Sequence, residues 1–370
     1  MKVALVCDWL TNVGGAERVL KSIHDLYPDA PIYTSQYNPK KIDWFKNADV
    51  RTGWMQKLPS GLRRIFGPLR QRYFSRLDLS DYDLVISVTG AEAKSVRTEN
   101  KERGTKALHL CYCHVPTQYY YEFYDQYVEN PGFGIFNPIV RFFFKLFVKP
   151  LRKADRAAAQ QPDYFITISQ YAAAQIKKYY NRESIIINPP VAVEKFDGGG
   201  ATSSNSYFIN FSRQVTWKRL DLAIQACLKT NQKLLLIGDG PEHKNLVKLA
   251  QGSDLIKFLP SQSQAKLKKY LSEAKAFIFP SCEPFGIAPV EALSAGVPVI
   301  AYQKGGALDY IQDKENGLFF TKQSVESLAA AIEQLSSTTF NAKKVKKSAE
   351  NYSEKIFQQK IKAVVHEKMA

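Results

Sequence analysis

Ser281-Cys282-Glu283-Pro284-Phe285-Gly286-Ile287-Ala288-Pro289-Val290-Glu291-Ala292 carries two glutamates eight positions apart. The apolar run at residues 276–280 just before it predicts a buried strand, and residues 287–295 predict the helix that follows. Glu283 then falls in the strand–helix turn, with Glu291 roughly two helical turns further on. In a parallel α/β sheet that rim is where ligands bind, because strand carboxyl ends meet helix amino ends there. A carboxylate on the rim can accept hydrogen bonds from two hydroxyls of a ribose or a hexose. Acids near a helix amino end also have a plain meaning, one capping and one solvated. The rest of the chain decides between the two.

The surrounding half repeats the same pattern. Strands are predicted at residues 207–211, 233–237, 256–259, 276–279, 298–302 and 317–320. Helices are predicted at 220–228, 242–250, 264–274, 287–295 and 325–335, with a short one ending near Ile311 after Gly305-Gly306. Short apolar strands alternating with helices imply βαβ units and a parallel sheet covered on both faces. The first half opens alike, with a strand at 3–7, a helix at 16–27, and strands at 84–88, 107–113, 164–168 and 185–187. A long aromatic segment, 119–138, interrupts it, and long loops inside a compact domain are usually functional. Prolines at Asn188-Pro189-Pro190 mark a boundary, and Gly198-Gly199-Gly200 to Ser206 reads as a flexible loop beyond it. The expected division is 1–190, 191–345, and a helical tail 346–370 whose Ile356, Phe357, Ile361, Val364 and Val365 form an apolar face.

A chain of 370 residues suits two domains. Five cysteines give no even disulfide framework, and the strand at 3–7 is too short for a signal segment. The expected location is therefore cytoplasmic, with a peripheral place at the inner face of the cell membrane. No apolar stretch approaches the eighteen or so residues that span a bilayer. The net charge of +16 calls for a polyanionic partner. It is clustered: Arg63, Arg64, Arg70, Arg72 and Arg76 interleave with Leu62, Ile65, Phe66, Leu69, Tyr73 and Phe74. A second cluster runs Arg141-Phe142-Phe143-Phe144-Lys145-Leu146-Phe147-Val148-Lys149. Such segments suit helices lying on an anionic membrane surface, or core-packed helices with solvated basic faces. Nucleic acid is not expected, since no reading module is present.

Several other residues fall at predicted strand exits. Gly14-Gly15 follows the first strand and opens a helix; a glycine pair lets a ligand approach the backbone, or simply makes a tight turn. Arg213 and Lys218 follow the strand ending at Phe211, where a guanidinium fork and an ammonium can grip a diphosphate, or merely sit solvated. Gly238-Asp239-Gly240-Pro241 ends another strand of the same half, and a plain turn is its commonest meaning. His114 ends the strand at 107–113. His109, Cys111 and Cys113 alternate along that strand and could share one face; strand alternation explains them without a metal, and none is expected. Asp81-Tyr82-Asp83 looks like a DxD nucleotide motif but precedes its strand, the wrong end for a ligand, so it reads as a turn.

Together these residues resemble retaining GT-B glycosyltransferases of family 4. The resemblance rests on Gly14-Gly15-Ala16-Glu17, His114, Arg213 with Lys218, Gly238-Asp239-Gly240-Pro241-Glu242, and Glu283 to Glu291, which matches the family's EX7E motif. It covers essentially the whole chain, and Cys111-Tyr-Cys-His-Val-Pro looks most like mannosyltransferases of O-antigen and related polysaccharide assembly. Pro284 stands where relatives often carry an acid, and Leu259-Pro260-Ser261 where a glycine is more usual. The resemblance implies an α/β fold of two Rossmann-like domains with parallel sheets facing a central cleft, and a final helix crossing back to the first domain. It implies that Arg213 and Lys218 bind the donor diphosphate and that Glu291 accepts the ribose hydroxyls. Glu283, Phe285, Gly286 and Ile287 would meet the donor hexose, Gly238, Asp239 and Leu259 the nucleotide, and Gly14 and Gly15 the donor phosphate or acceptor. His114 would touch the donor sugar.

The implied reaction is metal-independent hexosyl transfer with retention, without a cofactor. GDP-mannose is the favoured donor, and a glycan or lipid-linked glycan the acceptor. Rival readings are a GT-B enzyme using a UDP-sugar, including an epimerase, and a non-catalytic protein binding membranes or polyanions.

Overall fold

The computed structural model describes residues 1–59, 66–129, 134, 137–196 and 206–370. Leu62, Arg63, Arg64 and Ile65 of the first basic segment, most of the Gly198–Ser206 loop and part of the 119–138 segment lie outside the described residues. The chain forms two compact units, one of Met1–Asn188 with Gln358–Ala370, the other of Pro189–Phe357.

The first unit runs β1 (Val3–Cys7), α1 (Gly15–His24), β2 (Ile32–Thr34), β3 (Val50–Thr52), α2 (Gly67–Phe74), β4 (Leu84–Thr89), β5 (Glu99–Asn100), β6 (Thr105–Lys106), β7 (Leu108–Cys113), α3 (Tyr124–Glu129), α4 (Asn137–Ala158), β8 (Tyr164–Thr167), α5 (Gln170–Tyr180) and β9 (Ser184–Ile186). Seven strands form one parallel sheet in the order β3-β2-β1-β4-β7-β8-β9; β5 and β6 make a small antiparallel hairpin apart from it. Every residue of β1 and β4 is buried, as continuous apolar strands require when helices cover both faces. The chain winds outward from β1 in one direction and from β4 in the other, so the switch point lies between them.

The described part of the first basic segment takes the core-packed one of its two readings, with a solvated basic face. Tyr73 and Phe74 of α2 are buried in a core cluster with Met55, Val85 and Ala93. Arg70 is only 2 % exposed, and its guanidinium donates to Glu92, itself 2 % exposed, at 2.8 Å. A buried guanidinium needs a buried carboxylate, and Glu92 lies too far along the sequence for spacing to reveal it. Leu69, Arg72 and Arg76 remain exposed.

The second unit contains β10 (Tyr207–Phe211), α6 (Leu220–Lys229), β11 (Leu234–Ile237), α7 (His243–Leu249), β12 (Ile256–Leu259), α8 (Gln264–Ser272), β13 (Ala274–Phe279), α9 (Ile287–Ser294), β14 (Val299–Tyr302), α10 (Ala307–Tyr310), β15 (Gly317–Phe320), α11 (Val325–Leu335) and α12 (Ala342–Ser348). Its six parallel strands are ordered β12-β11-β10-β13-β14-β15, with the switch point between β10 and β13. Leu222, Ala226, Leu236, Ile278, Ile300 and Ile332 lie in its largest described core cluster. The last helix, α13 (Glu354–Met369), begins in this unit and its residues from Gln358 on belong to the first. Phe357 and Ile361 are buried, and Gln358 Nε2 donates to Ser22 O at 3.1 Å.

Candidate functional site

The second sheet's carboxyl rim is built by glycines that let loops lie flat on one another. Beyond β10, Ser212 N donates to Ile237 O at 3.1 Å and Gln214 N to Asp239 O at 2.9 Å, so the pairing continues past the strands. A Cβ on Gly238 would lie 2.2 Å from Ser212 O, and one on Gly240 2.2 Å from Gln214 O. Gly238 also has a φ of +129°, so glycine is required there twice over. The Gln214 side chain is fully buried; its Nε2 donates to Gly238 O at 2.9 Å, and its Oε1 lies 2.7 Å from His243 Nδ1. Gly238 N donates to Leu259 O at 2.9 Å, which ties the exits of β10, β11 and β12 together.

Across the switch point, the loop after β13 is held equally firmly. Gly306 N donates to Glu283 O at 2.7 Å, and Tyr310 Oη to Phe285 O at 2.9 Å. Phe285 is buried edge-on against Tyr310 at 5.3 Å. A Cβ on Gly306 would meet Phe285 Cα at 2.3 Å, and one on Gly286, whose φ is +93°, would meet Phe279 Cζ at 2.6 Å. This clamp presents Glu283. Both of its carboxylate oxygens accept from Lys218 Nζ, at 2.6 and 2.7 Å, and Oε1 also accepts from Ser281 Oγ at 2.6 Å. Lys218 and Glu283 retain side-chain exposures of 20 % and 17 %. The ammonium therefore stands at the switch point, anchored but open to solvent. With three N–H donors and two carboxylate contacts, it has bonding capacity left for an anion.

The rim collects most of the residues that the sequence singled out. Arg213 leaves the same strand exit as Lys218, is exposed, and makes no ion pair among the described residues. Asp239 is exposed and its Oδ1 accepts from Gly240 N at 2.7 Å. Leu259 ends β12, Ile287 opens α9, and Glu291 stands half-buried in the second turn of α9. Sequence reasoning passed over Gln214 and Tyr310, which hold the loops in place, and Ser281, which orients Glu283. Only Ser281 carried a signal, its place two residues before Glu283.

Gly14, Gly15 and His114 belong to the first unit, at the carboxyl ends of its strands. Gly14 caps α1 in extended conformation, and a Cβ there would come within 2.9 Å of Glu17 Oε2. His114 N donates to Thr89 O at 2.9 Å, while the ring packs edge-on against Tyr112 at 5.4 Å. Its Nε2 is buried and has no partner among the described residues. Burial lowers its pKa to about 4, so the imidazole is neutral at pH 7 and suited to a hydroxyl. Nearby, the Asp8 carboxylate accepts from Thr89 Oγ1 at 2.9 Å, Gly90 N at 3.0 Å and Ala93 N at 2.8 Å, which joins the exits of β1 and β4. His109 Nε2 lies 2.8 Å from Ser87 Oγ. Asp81 pairs with Arg103 at 2.8 Å and Asp83 accepts from Lys2 N at 2.6 Å, both at the amino end of β4.

Residues 194–355 match the sequence model of the family described as "Glycosyl transferases group 1". An uncharacterized glycosyltransferase of Bacillus subtilis, YqgM, is 27 % identical over 204 residues, 52 % of this chain and 57 % of that protein. The alpha-1,3/1,6-mannosyltransferase ALG2 of Mus musculus is 24 % identical over 357 residues, covering 83 % of this chain and 81 % of ALG2. Anabaena HepE, solved in complex with UDP, superposes with a TM-score of 0.70 at 17 % identity, over 99 % of this chain and all of that one. The chain therefore has the GT-B fold, and most of its second unit matches a glycosyl transferase family.

Proposed function

We propose that this protein transfers a hexose, with retention at the anomeric carbon and without a metal ion, from a nucleoside-diphosphate sugar to a glycan or lipid-linked glycan in polysaccharide assembly. The observation that carries this reading is the meeting of Lys218 and Glu283 at the second sheet's switch point, with the exposed Arg213 on the same rim. As the bond from the anomeric carbon to the diphosphate oxygen breaks, negative charge grows on the leaving group. Lys218, held by Glu283, and the exposed Arg213 beside it are the cations that meet that charge. Glu283, held by Ser281, accepts from donor hydroxyls, and Glu291 from the ribose. The acceptor hydroxyl oxygen attacks from the face the diphosphate leaves, and its proton passes to a donor phosphate oxygen.

The favoured donor is GDP-mannose; the likeness to a mannosyltransferase over most of the chain supports mannose as its sugar. A UDP-hexose is the second reading, favoured by the similarity to a fold-mate solved with UDP. Incubation with GDP-mannose, UDP-glucose and UDP-N-acetylglucosamine, with and without a chelator, tests both. The expected product carries the donor's anomeric configuration by NMR and forms at the same rate in chelator. An inverted product, or no transfer from any of the three, refutes the reading.

A further inference from the structure

Helix α4 presents two faces, and among the described residues only one packs against the protein. Phe144, Val148, Leu151, Asp155 and Ala158 turn inward; Val148 is buried and Phe144 and Leu151 pack on the core cluster around Tyr120 and Phe165. Asp155 there accepts from Lys94 Nζ at 2.6 Å. Ile139, Phe142, Phe143, Leu146 and Phe147 follow the i, i+3, i+4, i+7, i+8 spacing of a single stripe, and each is at least 50 % exposed. Their rings pack on one another, Phe143 and Phe147 stacking at 6.3 Å. At about 200 Å² per large side chain, half exposure leaves on the order of 500 Å² of contiguous apolar surface. Monomeric soluble proteins seldom expose a larger patch, and such patches mark interaction sites.

The charge beside the stripe identifies the partner. Lys145, Lys149 and Lys153 recur every fourth residue along its edge, are exposed, and make no ion pair among the described residues. Arg141 and Arg152, by contrast, are tied to backbone carbonyls of the unit. Asp155 is the one acid in the helix, and it faces inward. Among the described residues no helix is long and apolar enough to cross a membrane. We propose that α4 lies on an anionic lipid bilayer, with Phe142, Phe143, Leu146 and Phe147 entering the boundary between headgroups and acyl chains and Lys145, Lys149 and Lys153 meeting the lipid phosphates. An apolar stripe edged with lysines is the composition of an interfacial helix. The proposal does not depend on the chemistry at the second unit's rim.

Co-sedimentation of the full chain with vesicles tests it. The protein is expected to partition onto phosphatidylcholine vesicles containing one-third phosphatidylglycerol, much less onto phosphatidylcholine alone, and less as salt rises. Lys145→Gln, Lys149→Gln and Lys153→Gln combined should weaken partitioning by on the order of a hundredfold. Phe142→Ser, Phe143→Ser and Phe147→Ser combined should bring it to background, with a cooperative thermal transition showing that the variant folds. If that variant fails to fold, the lysine set decides alone. Equal partitioning onto both vesicle types, or lysine variants that bind like the parent, overturns the proposal. So does a chain that binds no vesicle but forms a dimer lost in the phenylalanine variant, because a second copy then covers the stripe.

Discussion

Gly306→Ala probes the candidate site without touching a charged group. Gly306 has a φ of −70°, a value alanine adopts freely, so the substitution introduces no backbone strain. Its methyl group would, however, lie 2.3 Å from Phe285 Cα and 2.4 Å from Pro284 O. Ordinary contact begins at 3.4 Å, so the 283–285 backbone must retreat by about 1 Å. Glu283 moves with it, and so does Lys218, which is bonded to both carboxylate oxygens. A 1 Å misplacement of a positioned group costs up to about 10²-fold in rate, or about 2.7 kcal/mol of transition-state stabilisation. The assay is kcat/KM for the proposed hexosyl transfer, with thermal unfolding measured alongside. Gly252→Ala is the control: its φ is +71° and no atom lies within 4 Å of the added methyl. Strain there should cost about 1 kcal/mol of stability and leave turnover intact. Full turnover in Gly306→Ala would refute the assignment of the 283–285 loop to the site.

Other outcomes follow from single groups. Lys218→Ala should lower turnover by about 10²–10³-fold while the cooperative unfolding transition is kept; unchanged turnover contradicts its proposed place against the leaving group. His109 is fully buried, and burial depresses its pKa to about 4, against 6.5 in the unfolded chain. Between those values the unfolded state binds the proton and the folded state does not. Its stabilisation is therefore complete above pH 6.5 and is lost as pH falls, by about 2 kcal/mol at pH 5. Urea midpoints at pH 8 and pH 5, compared between the parent and His109→Gln, measure it; an identical pH dependence in both contradicts the assignment. Arg70→Ala strands the buried Glu92 carboxylate and should cost about 3 kcal/mol in urea unfolding, whereas the exposed Arg72→Ala should stay within about 0.5 kcal/mol.

The second sheet was legible because each strand is a short apolar run. The strand at 207–211 was placed at both ends, and the helix at 264–274 overran by only two residues, since β13 begins at Ala274. In the first unit β2 and β3 escaped notice: each has three residues, and Val50-Arg51-Thr52 has no apolar pattern. The predicted helix at 16–27 ran three residues past the end of α1 because Leu26 and Tyr27 continue its apolar pattern through turns after His24. At the rim, only the resemblance to a family joined Arg213, Lys218 and Glu283; residue type and spacing left each with a plain meaning as well. Lys218 and Glu283 are 65 residues apart, and only the strand order brings β10 beside β13. The same limit hid the buried pairs Arg70–Glu92 and Lys94–Asp155, whose partners lie 22 and 61 residues apart. Local patterns fix which side chains reach a strand exit, whereas sheet order fixes which exits are neighbours.

Titration calorimetry of GDP and UDP into the parent chain, Arg213→Ala and Lys218→Ala tests the central claim most directly. The account predicts that one nucleotide binds the parent and that each substitution weakens it at least tenfold, with the folded state intact. Equal affinity in all three proteins would show that the diphosphate lies elsewhere and would contradict the account.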